Sequence, residues 1–159
     1  MTARDDCKRI KARVEQMKRD IRANLQATLS KVGEDAIAEA RLSGNYQNPT
    51  GNLRNSIGYA VVRNGNKVDG HSNGTAEPIE KEGTDRKASE KGYKEHVKQM
   101  MSDEKGQIQL IVVAGMEYGF FVETLYGRNV LQSAKTMVEK TVPEEIEDLK
   151  NLLIEKFNN

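Results

Sequence analysis

The sequence predicts an α+β fold: a small antiparallel sheet of about three to four strands packed against a long N-terminal helix and C-terminal helices. Three observations predict it. Apolar residues recur every three or four positions through the first forty or so. Two strand-like runs flank Asn64-Gly65, a dipeptide suited to a tight hairpin. A third run, "QIQLIVVAG", is almost wholly apolar.

The first helix is read over residues 5–42. Ile10, Val14, Met17, Ile21, Leu25, Leu29, Val32, Ala36 and Ala40 form its stripe, and Gly44 stops it. Gly33 interrupts the pattern and marks a candidate kink. Unbroken, such a helix runs to roughly 57 Å, against a radius of gyration of about 15 Å for a domain of this size. It must break, or overhang its own domain and lean on another chain.

Asn48-Pro49-Thr50-Gly51 is a turn, and Leu53 and Ile57, four apart, suggest one helical turn before a strand. "IGYAVV" is that strand, and its partner returns over residues 67–71. Residues 72–106 are polar and glycine-punctuated. They read as a mobile excursion within a single domain spanning 1–159, with an amphipathic helix over 87–102 carrying Tyr93, Val97, Met100 and Met101. The apolar run at 107–115 predicts a central strand covered on both faces. Residues 118–128 then form an aromatic junction holding Tyr118, Phe120, Phe121 and Tyr126, four of only eight aromatic residues. Val130, Ala134, Met137 and Val138 mark a helix over 128–140. Thr141-Val142-Pro143-Glu144 reads as a capping box opening a separate last helix, which carries Ile146, Leu149, Leu152, Leu153 and Phe157.

Composition narrows the function. Of 159 residues 31% are charged, yet the net charge is only +1, so no bulk attraction to nucleic acid or membrane is implied. The charge is uneven: residues 1–31 hold nine Lys/Arg against four acids, and residues 139–159 hold six acids against three lysines. The two ends could pair, within a chain or between chains. The basic residues of the first helix are read as surrounding it, without interleaved aromatics, which favours a solvated surface. The single Cys7 excludes an internal disulfide and fits a reducing compartment. The first residues lack an apolar signal segment, and no run approaches the ~20 residues of a membrane span.

Chemistry-bearing constellations are sparse. Asp69-Gly70-His71 puts two metal-ligand types two apart, without further ligands at a matching spacing. His96 has no fixed partner in sequence, and Cys7 lacks a catalytic signature. Gly115 and Gly119 match neither a dinucleotide fingerprint nor a P-loop. Asn73-Gly74-Thr75 fits a glycosylation sequon but has no secretory context. Glu123 lacks a His, Cys, Ser or metal partner for general-base work. It is assigned instead to fixing the junction by a hydrogen bond or an ion pair, with Arg128 as the candidate partner. No catalytic, cofactor-binding or metal-binding residue is therefore named. Aromatics and arginine gather where subunits meet, so Tyr118, Phe121, Glu123, Tyr126 and Arg128 are the candidate subunit interface.

Three short motifs complete the reading: "TGNLRNSI" at 50–57, "YGFFVE" at 118–123 and "VLQSA" at 130–134. Together with the long first helix they resemble the tail-completion, or head–tail connector, proteins of long-tailed bacteriophages. Thr50, Gly51, Leu53 and Ser56 fit the first family motif; Tyr118, Val122 and Glu123 the second; Leu131 and Ala134 the third. The chain departs from the family where Thr124-Leu125-Tyr126-Gly127 intervenes after the glutamate, and where the Pro- and Arg-rich corner is reduced to Gly127-Arg128-Asn129. The resemblance implies a structural virion protein of phage or prophage without enzymatic activity. It implies a ring at the neck, a hexamer being one candidate, between portal-side connectors and the tail tube or terminator. The location would be the virion, reached from the host cytoplasm during assembly. It implies no cofactor, no membrane and no specific nucleic acid. The rival readings are a small nucleic-acid-binding protein using the basic helix, and an unrelated oligomeric adaptor.

Overall fold

The long first helix forms as one element. In the computed structural model, which describes residues 3–158, α1 runs unbroken over Ala3–Ser43, about 60 Å at 1.5 Å per residue. Gly33 does not kink it. A Cβ there would lie 2.6 Å from Cγ of Tyr59, so the glycine is where α1 lets an aromatic ring of the sheet approach its backbone. Burial begins only in the second half, at Leu29, Val32, Ala36, Ile37 and Ala40. Residues 4–16 are all exposed, so the helix overhangs its domain.

After a one-turn helix α2 (Asn52–Asn55) come β1 (Ile57–Arg63) and β2 (Asn66–Asp69). Asn64 and Gly65 both take positive φ, 50° and 72°, as a two-residue hairpin turn requires. α3 (Arg86–Met100) follows, its first turn capped by Asp85, whose Oδ1 accepts from the Ala88 amide at 2.9 Å. β3 (Ile108–Ala114), α4 (Tyr118–Thr124) and α5 (Gln132–Asn158) complete the chain.

The sheet has the order β2-β1-β3, antiparallel throughout. Three expectations need correction here. First, β3 is an edge strand, and β1 is the central one, with six of its seven residues buried. β3 is apolar because both its faces are covered. Leu110 and Val112 pack toward Leu29, Val61 and Ala134, while Ile111 and Val113 pack on Tyr93 and Val97 of α3. The apolar run reports that coverage and says nothing of lateral neighbours.

Second, the two C-terminal helices are one. α5 passes through Pro143, and the Thr141 hydroxyl donates to Met137 Sδ at 3.4 Å rather than capping a new helix. Packing of the whole length on α1 outweighs the local proline signal. α1 and α5 run antiparallel, joined by Lys31–Glu145 at 2.7 Å and Asp20–Lys156 at 2.9 Å. Lys31–Glu145 thus joins the basic end to the acidic end within the chain, while Asp20–Lys156 links the minority charge of each. Leu153 is buried there, while Leu152 and Ile154 stay exposed.

Third, the junction at 118–124 is a helix. Within the polar excursion, the loop before α3 is tied to the body. Asn55 exchanges hydrogen bonds of 2.8 Å with Ile79 through both its side-chain atoms, and Thr84 Oγ1 donates to the Thr50 carbonyl at 2.6 Å.

Candidate functional site

α4 begins where β3 ends, and the turn between them is pinned to α2. The Ser56 carbonyl accepts from the Gly115 amide at 3.0 Å, and Ser56 Oγ accepts from the Met116 amide at 3.2 Å. Gly119 is buried against Leu53, and the Tyr118 side chain reaches Thr50. Burial pushes the Tyr118 phenol above its ordinary pKa. A small core of Tyr46, Leu53 and Val130, flanked by Met116, Val122 and Leu131, lies beneath α4.

Glu123 does fix the junction by hydrogen bonds, but Arg128 is not its partner, and the two residues make separate attachments. Glu123 Oε1 accepts from the amides of Leu131 at 3.2 Å and Gln132 at 2.9 Å. It therefore caps the positive end of α5, a favourable site for a carboxylate. Arg128 Nη1 donates to the Asn45 carbonyl at 3.2 Å, beyond the end of α1. Asn129 completes the corner. Its amide donates to Asn45 Oδ1 at 2.7 Å, its side chain donates to the Ser43 carbonyl at 3.2 Å, and its Oδ1 accepts from the Ser133 amide at 3.1 Å. The corner bolts the end of α1 to the start of α5. Asn45 was not singled out from the sequence and Asn129 was named only as part of the corner; an asparagine just past the end of α1 and another just before the start of α5 are the signals that could have found them.

On this fixed base the apolar side chains face outward. Phe120 is 69% exposed, Phe121 53%, Leu125 71%, Tyr126 72% and Tyr118 42%. The adjacent phenyl rings meet edge to face with centroids 5.9 Å apart. Of the named interface residues, Tyr118, Phe121 and Tyr126 thus lie on the surface, and Glu123 and Arg128 hold the frame. Large exposed apolar patches mark interaction sites.

A second apolar surface lies beside β3. The bonds from Gly115 to Ser56 and from Asn64 to Gln107 fix the phase of the β1–β3 ladder. In that phase Ile108, Leu110, Val112 and Ala114 turn their N–H and C=O groups to the free edge. The groove along this edge, about 610 Å³, is walled by Met100 on one side and by Leu131, Ala134 and Val138 on the other.

The remaining polar candidates lie apart from both surfaces. His71 Nε2 is 3.2 Å from Glu34 Oε1, His96 Nδ1 is 2.9 Å from the Gly92 carbonyl, and Cys7 is exposed on the overhang. Asp69 accepts from Ser30 and from the Gly70 amide, which hold its carboxyl below the usual range. Among the described residues no group of three or more His, Cys, Asp or Glu side chains is placed to hold a metal ion. No described helix is long and apolar enough to cross a membrane. No family model, curated protein or solved structure matches the chain.

Proposed function

We propose that this protein is a structural subunit of a phage or prophage virion, joining head and tail as one member of a ring at the neck. The observation that carries the reading is the exposed aromatic patch of α4 on its hydrogen-bonded base. The three motifs behind the family resemblance supply that base: Ser56 and Leu53 from the first, Tyr118 to Glu123 from the second, Leu131 from the third. Residues far apart in the chain are spent on fixing one protruding surface.

A ring needs two different complementary surfaces on each subunit, so that one copy's patch meets another's socket. The α4 patch and the groove beside β3 share no residue and are both apolar. The role is architectural, with itself, portal-side connectors and the tail tube or terminator as partners, and no chemical step is assigned to it. Removing the chain from a phage that encodes it should leave filled heads and complete tails that do not join, and supplying it in trans should restore infectious particles. Normal joining without it would overturn the assignment.

A further inference from the structure

Because α1 is unbroken, the angular position of each of its side chains follows from about 100° per residue. Arg4, Lys8, Lys11, Lys18, Arg19 and Arg22 fall within a sector about 100° wide, with Glu15 the only acid among them. The basic residues do not surround the helix evenly, as the sequence suggested. The four outside the sector are engaged by the chain itself: Arg9 by Asp6, Arg13 by the Phe157 carbonyl, Lys31 by Glu145 and Arg41 by the carbonyls of Arg54 and Glu77. Within it, Lys18 pairs with Glu15 and Arg19 donates to Gln16. Arg4, Lys8 and Lys11 have no partner among the described residues, and Arg22 makes only an electrostatic contact with Glu15.

The stripe leads into a cleft of about 600 Å³ where Arg22 is joined by Arg63 from the end of β1 and by Lys105 from the turn before β3. Arg63 and Lys105 also lack partners among the described residues, and Asp103 is the one acid in the cleft's lining. From Arg4 to Arg22 the track is about 27 Å long. We propose that this track and cleft bind the phosphate backbone of a nucleic-acid duplex without reading its sequence.

The alternative occupant, the acidic α5 of a second copy, is disfavoured by its own pairing. Three of its six acids, Glu139, Glu145 and Glu147, are already held by Lys135, Lys31 and Lys150, which leaves a smaller free charge to meet the track. A single strand is disfavoured because α1 carries no aromatic side chain on which splayed bases could stack. The surface lies at the opposite end of α1 from the α4 patch and stands independently of the assembly role.

The test is fluorescence anisotropy of the full chain with a mixed-sequence DNA duplex between about 50 and 200 mM salt. The six cations Arg4, Lys8, Lys11, Arg22, Arg63 and Lys105 set an upper slope of roughly −5 in log K against log salt. Lys8→Ala, Lys11→Ala and Arg22→Ala combined should flatten that slope by about 3 and weaken binding at least about tenfold at the lowest salt. Arg9→Ala with Arg13→Ala should change it little. All five side chains are exposed, and thermal melts of both variants should match the parent's. The proposal is overturned by absence of salt-dependent binding, by equal loss in the control, or by tighter binding of the single strand. It is equally overturned if the triple variant loses self-association while still binding DNA, which would assign the track to an acidic protein face.

Discussion

Gly33 separates two effects of opposite sign. Inside an exposed helix, Gly→Ala gains about 1 kcal/mol of helix propensity. Here the new methyl would meet the Tyr59 ring, which is itself buried between α1 and the sheet. Overpacking of that kind costs about 1–3 kcal/mol, so Gly33→Ala should lower the midpoint of urea unfolding; a raised midpoint would show that the ring moves aside freely. Tyr93 offers a second test. Its hydroxyl donates to the Tyr59 carbonyl at 2.6 Å in the core. Tyr93→Phe leaves that carbonyl unsatisfied and should cost about 1–3 kcal/mol at neutral pH. Burial raises the pKa of both phenols. A raised folded-state pKa gives stability that is complete below the unfolded value near 10 and lost as pH rises toward the folded one. The melting temperature should therefore fall above about pH 10, less steeply in Tyr93→Phe; a parallel decline in both would contradict the assignment. Single residues were the least legible level of the sequence. Glu123 and Arg128 stand five apart and suggest an ion pair, yet each serves a helix end that only the folded chain brings near.

At the scale of elements, strong periodic signals were readable and boundaries set by competition were not. The first helix, the Asn64-Gly65 hairpin and the helix after the polar loop follow from local pattern. α5 does not, because Pro143 and Thr141 imitate a helix start and only packing on α1 overrides them. An interior proline costs about 3 kcal/mol relative to alanine. Pro143→Ala should thus raise the melting temperature by several degrees. Were two helices meeting at a capped start, the same change would be neutral or destabilising. β3 was misplaced for a related reason. Helices α1, α5 and α3 cover its faces, so its composition resembles that of a strand with neighbours on both sides.

The whole molecule is organised around the length of α1. Its second half makes the core with the sheet and α5, its first half projects, and its far end is locked to the α4 corner. One ion pair, Lys31–Glu145, joins the basic end to the acidic end within the chain, while Asp20–Lys156 links the minority charges of the two ends and leaves most of the basic excess on α1 uncompensated. The four aromatics of the junction could equally have closed the core by sequence alone; their exposure places them on the surface. The central claim is that this patch assembles subunits and contributes little to folding. Truncating a central interface anchor commonly costs about 2 kcal/mol or more of association energy, whereas surface truncations alter stability by about 0.5 kcal/mol or less. The most direct measurement is native mass spectrometry of the parent chain and of Phe121→Ser with Tyr126→Ser, over a concentration series, beside their thermal melts. The parent should form a discrete closed oligomer, and the variant a monomer that melts at the same temperature. A parent that stays monomeric throughout, or a variant that assembles equally well, would contradict the central claim.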